Sequence, residues 1–194
     1  YGYAIMFYQR LCILPALVSN AVHEAAVCCA NARLKFGRRE ALNMEALFQT
    51  KRMIALPAEA KDIPFIIYME NDPANRNFIW QGTEEQHRAE IADPAHVLAV
   101  FRGEDGRNIG YMLCHLDRKS EVFELRRIAI DAKGQGYGRE AMEGTMRFAF
   151  ETLRMNRFWL DVYPDNAVGI RLYESLGMHR DGMLRQSYKS ERGY

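Results

Sequence analysis

The turn Lys133-Gly134-Gln135-Gly136-Tyr137-Gly138, followed by Arg139, carries the strongest chemical signal in this chain of 194 residues. Alternating glycines let successive backbone N–H groups face one point, and a helix beginning at the turn adds the positive end of its dipole. Such a cradle suits an anion, above all a phosphate or diphosphate, and Lys133 and Arg139 place charge beside it. The same glycines also serve a plain tight turn that needs positive φ, so the turn alone leaves both readings open.

Two nucleotide motifs compete for these residues, and both fail. A P-loop requires Gly-Lys-Ser/Thr, whereas Gly138 is followed by Arg139 and Glu140. A dinucleotide-binding turn requires a third glycine where Arg139 stands, and it must open a βαβ unit. Here the preceding segments form a meander: His96 to Arg102, Ile109 to Leu116 and Val122 to Ile130 are β-rich and separated by turn residues.

The elements around the turn follow from spacing. Met53, Ile54 and Leu56 form a short strand, and Asp62 with Pro64 starts a helix that runs through Met69. An Asn-rich loop from Glu70 follows, and Thr83-Glu-Glu-Gln86 begins a second helix with a capping-type start. After the turn, Met142, Met146, Ala149, Phe150 and Leu153 recur at helical steps. Phe158, Leu160 and Val162 alternate as a strand, and Asn166 to Leu176 forms a further helix closed by Gly177. His179 onward supplies one more strand and a polar end.

A strand, a glycine turn and a helix, then a strand and Asp165-Asn166-Ala-Val-Gly-Ile-Arg-Leu-Tyr173-Glu-Ser-Leu-Gly177-Met, together resemble the GNAT superfamily of acetyl-CoA-dependent N-acetyltransferases. The resemblance covers Lys51 to the C-terminus and leaves residues 1–50 outside it. It implies an α/β fold with a mixed, mostly antiparallel sheet flanked by helices. It also implies transfer of an acetyl group from acetyl-CoA to a primary amine by direct attack, without a metal. Coenzyme A would lie where Val122 to Ile130 and the following strand splay apart, with Ile128, Ala129 and Ile130 along its pantetheine arm. The diphosphate would sit on Lys133, Gly134, Gln135, Gly136, Tyr137, Gly138 and Arg139, with Asn166 as a polar contact or simply a helix N-cap.

The resemblance places Tyr173 beside the sulfur, where a phenol would protonate the departing thiolate; otherwise it packs on a helix face beside Leu172. Backbone N–H near Ile130 would stabilise the oxyanion. Glu124 is the candidate base for the amine proton, directly or through water, and can equally pair with Arg126. Period-two alternation puts Glu124, Arg126, Ile128 and Ile130 on one face, and Leu125, Arg127 and Ala129 on the other. Asn71, Asp72, Asn75, Phe78 and Trp80 lie in a loop that borders the acceptor pocket in this family. His87 and His96 have no partner at catalytic or metal spacing and are assigned to the surface, and the aromatic residues to the core.

Composition bounds the rest. With 48% hydrophobic and 26% charged residues the chain is globular, with room for one main core. A net charge of +1 offers no general attraction for nucleic acid or an anionic membrane, although residues 1–52 carry seven Lys/Arg against three Glu. Cys12, Cys28, Cys29 and Cys114 form no metal spacing and are read as buried thiols of a cytoplasmic protein. The apolar run Leu11 to Val18 contains Pro15 and is far short of the roughly 18 residues of a membrane span. Residues 1–50 are Ala-rich and are expected to form a helical extension, one of whose roles could be a homo-oligomer contact.

Two features depart from the family pattern. Lys133 stands where Arg or Gln is usual, which loses forked donor geometry. The sequence also stops where a turn into one last strand is expected, which would leave a sheet edge exposed: either the sequence is truncated there, or another segment, such as the N-terminal extension, or a partner chain covers that edge. Both keep a second reading open, a non-catalytic acyl-CoA-binding or interaction module on the same scaffold. The acceptor, a small amine or a peptide N-terminus, is not legible.

Overall fold

The computed structural model describes residues 4–10 and 46–187. They form a mixed eight-stranded sheet: β1 (Ala4–Arg10), β2 (Phe48–Gln49), β3 (Met53–Pro57), β4 (His96–Gly103), β5 (Asn108–Asp117), β6 (Val122–Ile130), β7 (Arg157–Val162) and β8 (His179–Leu184), in the order β2-β3-β4-β5-β6-β7-β1-β8. Every neighbouring pair is antiparallel except β6 with β7.

The helices divide between the faces. On one lie α1 (Ile63–Asn71) and α2 (Glu84–Ala92), and on the other α3 (Tyr137–Arg147) and α4 (Ala167–Ser175). Ile66 and Met69 of α1 bury against Leu98, Val100, Tyr111, Leu113 and Ala129. Ala141, Met142 and Met146 of α3, with Ile170 and Tyr173 of α4, close the larger core over Phe101, Met112, Phe123 and Phe158. Past Arg147 the backbone relaxes into a π-helical turn over Phe148–Thr152, which keeps Phe148, Ala149 and Phe150 buried. The α2 start is a reciprocal box: the Gln86 amide donates to Thr83 Oγ1 at 3.2 Å, and the Thr83 amide to Gln86 Oε1 at 2.8 Å.

The expectation for the first residues needs correction. Residues 4–10 are a strand, not part of a helical extension, and they fill the slot between β7 and β8. Ile5 pairs with Val162 and Met183, and Tyr8 with Trp159 and His179. Seven residues alone do not separate a buried strand from a helix; the two flanking strands decide it, by taking the main-chain hydrogen bonds of β1 on both edges. Phe7 is wholly buried there. The edge expected to lack its last strand is thus covered from the N-terminal side, and β8, with exposed residues along most of its length, becomes the outer strand. Residues 11–45, with Pro15, Cys12, Cys28 and Cys29, lie outside the described residues. Cys114 is a free, wholly buried thiol. Among the described residues, no helix is long and apolar enough to cross a membrane.

Candidate active site

The cleft begins where β6 and β7 part. These two strands pair in parallel only at Val122 with Arg157, Phe123 with Phe158, and Glu124 with Trp159. The rings of Phe123 and Phe158 stack 5.2 Å apart at 14°, clipping the strands together at that end. Beyond Glu124, β6 continues to Ile130 and β7 to Val162 without pairing to each other, so main-chain groups along 125–130 face an opening.

A bulge accounts for the divergence and corrects the assignment of faces. Leu113 pairs with Arg127 but Cys114 with Leu125, so Arg126 is an extra residue on β6. A bulge bends the strand, raises its twist and breaks period-two alternation. Phe123 and Leu125 therefore share the α3 side with Ile128 and Ile130, opposite Leu116, Cys114, Met112 and Gly110. Glu124 shares the α1 side with Arg127 and Ala129, not with Ile128 and Ile130 as simple alternation predicts.

The glycine turn follows β6 directly. Gly134 has φ +75° and Gly136 φ +83°, both in the left-handed region, and Gly136 is the N-cap of α3. Lys133 N–H is spent on the Asp131 carbonyl, and helical bonding begins with Glu140 N–H on Gly136. Between them, no acceptor among the described residues takes the amides of Gly134 through Arg139. The turn thus presents a run of free donors ending at a helix N-terminus, the arrangement an anion requires. A cavity of about 400 Å³ opens on the β5 side of the turn, lined by Glu104, Asp105, Asp131, Gln135 and Tyr137 among others. Its three carboxylates outnumber its one cation, Arg107, which is paired with Asp105, so it is unsuited to a diphosphate.

The flanking cations point elsewhere. Lys133 Nζ donates to the Ala74 carbonyl at 3.1 Å and to Asn75 Oδ1 at 2.7 Å, joining the turn to the loop after α1. Arg139 Nη2 donates to Ser175 Oγ at 2.5 Å, tying α3 to the end of α4. Asn166 caps α4, its Oδ1 accepting from Gly169 N–H at 2.9 Å, which leaves its Nδ2 hydrogens as donors.

Tyr173 is buried between α4 and the sheet, its ring centroid 5.8 Å from that of Phe7. Burial, and then the charge of Asp161, push its phenol up to about 12, so it is protonated at neutral pH. Glu124 stands at the last paired rung, at the vertex of the opening. Its Oε2 lies 3.1 Å from Arg126 Nε and 3.5 Å from His115 Nδ1. The turn, the open edge of β6 and the Glu124 vertex thus belong to one strand and the loop that follows it. Tyr173 and Asn166 come from α4, on the β7 side.

Sequence spacing missed a buried charged cluster on the α1 side. Glu70, wholly buried at the end of α1, accepts hydrogen bonds from Tyr111 Oη (2.7 Å), Arg127 Nη1 (2.9 Å) and Gly82 N–H (2.7 Å), and its Oε2 lies 3.2 Å from His87 Nε2. Glu90 pairs with His87 Nδ1 at 2.8 Å and Arg127 Nη2 at 3.0 Å. Burial opposes the Glu70 charge, but the bonds from His87, Gly82, Arg127 and Tyr111 outweigh it and hold the carboxyl below its usual range. Burial likewise pulls His87 down, yet the two carboxylates raise it to about 9, so it is an imidazolium at neutral pH.

His87 is therefore a wholly buried ion and not a surface residue, and His96, on Asp93 Oδ2 at 2.8 Å, is partly buried. The partners of His87 include a residue from another helix, which spacing along the chain cannot reveal. The placement of aromatic residues in the core also needs correction: Trp80 is 61% exposed, with the Arg127 guanidinium 5.2 Å from its ring centroid, and Tyr68 and Phe78 are exposed. Asn75 is buried, donating to the Met69 carbonyl at 2.8 Å, so this part of the loop is a fixed structure.

A family model for the acetyltransferase (GNAT) domain matches residues 52–179, about two-thirds of the sequence. The chain belongs to the GNAT acetyltransferase family. Among curated proteins, the probable N-acetyltransferase YjcK of Bacillus subtilis (strain 168) is 27% identical over 118 residues, covering 55% of this chain and 60% of that protein. The chain thus spans less than two thirds of that relative. Among solved structures, spermidine N-acetyltransferase from Vibrio cholerae in complex with CoA and spermine superposes with a TM-score of 0.62 at 21% identity, over 67% of this chain and 82% of that one. A GNAT-family acetyltransferase from Bacillus anthracis gives 0.61 at 19% identity, over 75% and 91%. At these identities the structures establish the shared fold.

Proposed function

We propose that the chain is an N-acetyltransferase that takes acetyl-CoA as its co-substrate and transfers the acetyl group to a primary amine by direct attack. The single observation that carries this is continuity: the strand edge left open beyond Glu124 runs straight into the free amides of Gly134 through Arg139. An extended pantetheine arm needs the first and a diphosphate the second.

The residues fit that co-substrate. Main-chain groups at Ile128, Ala129 and Ile130 would pair with the arm, and N–H near Ile130 would face the developing oxyanion. Asn166 would add an Nδ2 donor. Neither Lys133 nor Arg139 is aimed at the turn in this structure, so the diphosphate would be held mainly by backbone. No group of three or more His, Cys, Asp or Glu among the described residues could hold a metal.

In the reaction the amine must be neutral, its nitrogen forms the bond to the acyl carbon, and the C–S bond breaks. Glu124 would accept the amine proton, directly or through water, and Tyr173 Oη would give one to the sulfur. A phenol near 12 is a weak acid toward an alkyl thiolate, the conjugate base of a stronger acid than itself. That donation is workable because the same dry surroundings raise the thiol, which narrows the gap.

Spermidine and spermine head the acceptor panel, because related folds are named for them. The buried Glu70 and the partly buried Glu90 are already neutralised by Arg127 and His87, so a polyamine would have to find its counter-charge elsewhere.

The test is release of free thiol from acetyl-CoA by the purified chain with polyamines, peptide N-termini and amino sugars in turn. A rise in melting temperature with acetyl-CoA but no thiol release with any amine would assign the chain to the second reading, an acyl-CoA-binding module.

A further inference from the structure

The glycine turn is held from outside its own sequence. Arg52, just before β3, donates its main-chain N–H to Glu140 Oε1 and its Nε to Oε2, both at 2.7 Å. Its Nη1 donates to the Gln135 carbonyl at 3.0 Å, and its guanidinium lies 4.1 Å from the Tyr137 ring centroid. One side chain thus grips the turn at Gln135, Tyr137 and Glu140. Apart from the Glu140 N–H on the Gly136 carbonyl, no other residue from outside the turn donates to a carbonyl from Gly134 to Gly136 among the described residues.

We propose that Arg52 is a positioning residue for diphosphate binding: by fixing the Gln135 carbonyl on its own side, it aims the Gly136 N–H the other way, into the anion cradle. In a trans peptide the C=O of one residue and the N–H of the next point in opposite directions, so holding one sets the other. Free to rotate, this glycine-flanked peptide could turn its carbonyl oxygen toward the diphosphate, where it would repel. The Nε bond also directs the Glu140 carboxylate at Arg52, and the guanidinium offsets a negative charge in the first turn of α3, beside where the anion would sit. Tyr137 supplies a flat surface that sets the guanidinium plane. The guanidinium lies against the turn: a Cβ built on Gly136 would be 3.4 Å from Arg52 Nη2. The Arg52–Gln135 contact spans 83 residues, which hides it from any motif read along the chain.

The inference rests on the reading of the turn as a diphosphate cradle, and the experiment separates the two. Dissociation constants for CoA and for pantetheine, which lacks the diphosphate, are measured calorimetrically on the full chain and on Arg52→Gln and Arg52→Lys. Melting temperatures are recorded alongside. Arg52→Gln is expected to weaken CoA at least tenfold and pantetheine less than twofold. Arg52→Lys keeps the charge, but a single ammonium cannot bridge Glu140 and Gln135 in the same geometry, so it too should weaken CoA selectively. If Arg52→Gln does not fold, Arg52→Lys carries the comparison alone. Wild-type CoA affinity in a folded variant, or equal loss of CoA and pantetheine, overturns the role of Arg52. Failure of the wild-type chain to bind CoA at all sinks the cradle reading instead.

Discussion

The glycine turn and the Glu70 cluster make opposite demands on the chain. The turn is exposed, built from consecutive residues, and leaves its donors unpaired. The cluster is buried, assembled from α1, α2, β5 and β6, and pairs its two carboxylates with Arg127 and His87. Free donors facing water cost little and are available to a ligand; unpaired charges in the interior would be prohibitive. The first arrangement suits binding and the second fixes architecture, here the α1–α2 connection that carries Trp80 and Asn75.

If that division is right, substitutions separate cleanly. The largest effect is expected for Arg127→Leu, which leaves the buried Glu70 and the partly buried Glu90 to share His87 as their one cation in the cluster. Chemical denaturation should show a loss of about 3–5 kcal/mol, with CoA affinity of the folded protein unchanged. A variant as stable as wild type would show that the cluster is not structural.

Tyr173→Phe tests the other side. It should lower kcat by about 100-fold, the scale of one general acid, and leave CoA affinity within twofold. Equal turnover would remove Tyr173 from the mechanism and leave it as a packing residue against Phe7.

The pH dependence sharpens the contrast. His87 is raised from its ordinary 6.5 to about 9 in the folded protein, so its contribution to stability is complete below about pH 6.5 and is lost as pH rises through 9. The melting temperature should fall over that range. In His87→Gln this component of the decline should vanish; an unchanged slope would mean that His87 is not the group responsible.

The smallest effect is expected for Gly134→Ala. Nothing lies within 4 Å of its added Cβ, but φ is +75°, so the strain alone should cost about 1 kcal/mol in denaturation while CoA binding weakens measurably. An unchanged CoA affinity would mean that the turn tolerates a backbone shift and does not need its present shape.

Much of the scaffold was legible locally. The β6 bounds Val122–Ile130, the Thr83/Gln86 box and the Asn166 cap are short-range features, each decided by residues within a few positions. The faces of β6 were not, because one extra residue at Arg126 reversed the alternation. Nor was the environment of Glu70 and His87, 17 residues apart, or the strand at residues 4–10, whose partners begin at Arg157.

The amino-acid order by itself determined the glycine turn, the helix and strand periods and the family, because backbone freedom, capping and hydrophobic spacing act over a few residues. Tertiary structure alone decided which carboxylates are neutralised, which arginine steadies the turn, and which segment fills the slot between β7 and β8. Those outcomes depend on electrostatics and main-chain pairing between parts of the chain that only folding brings within reach.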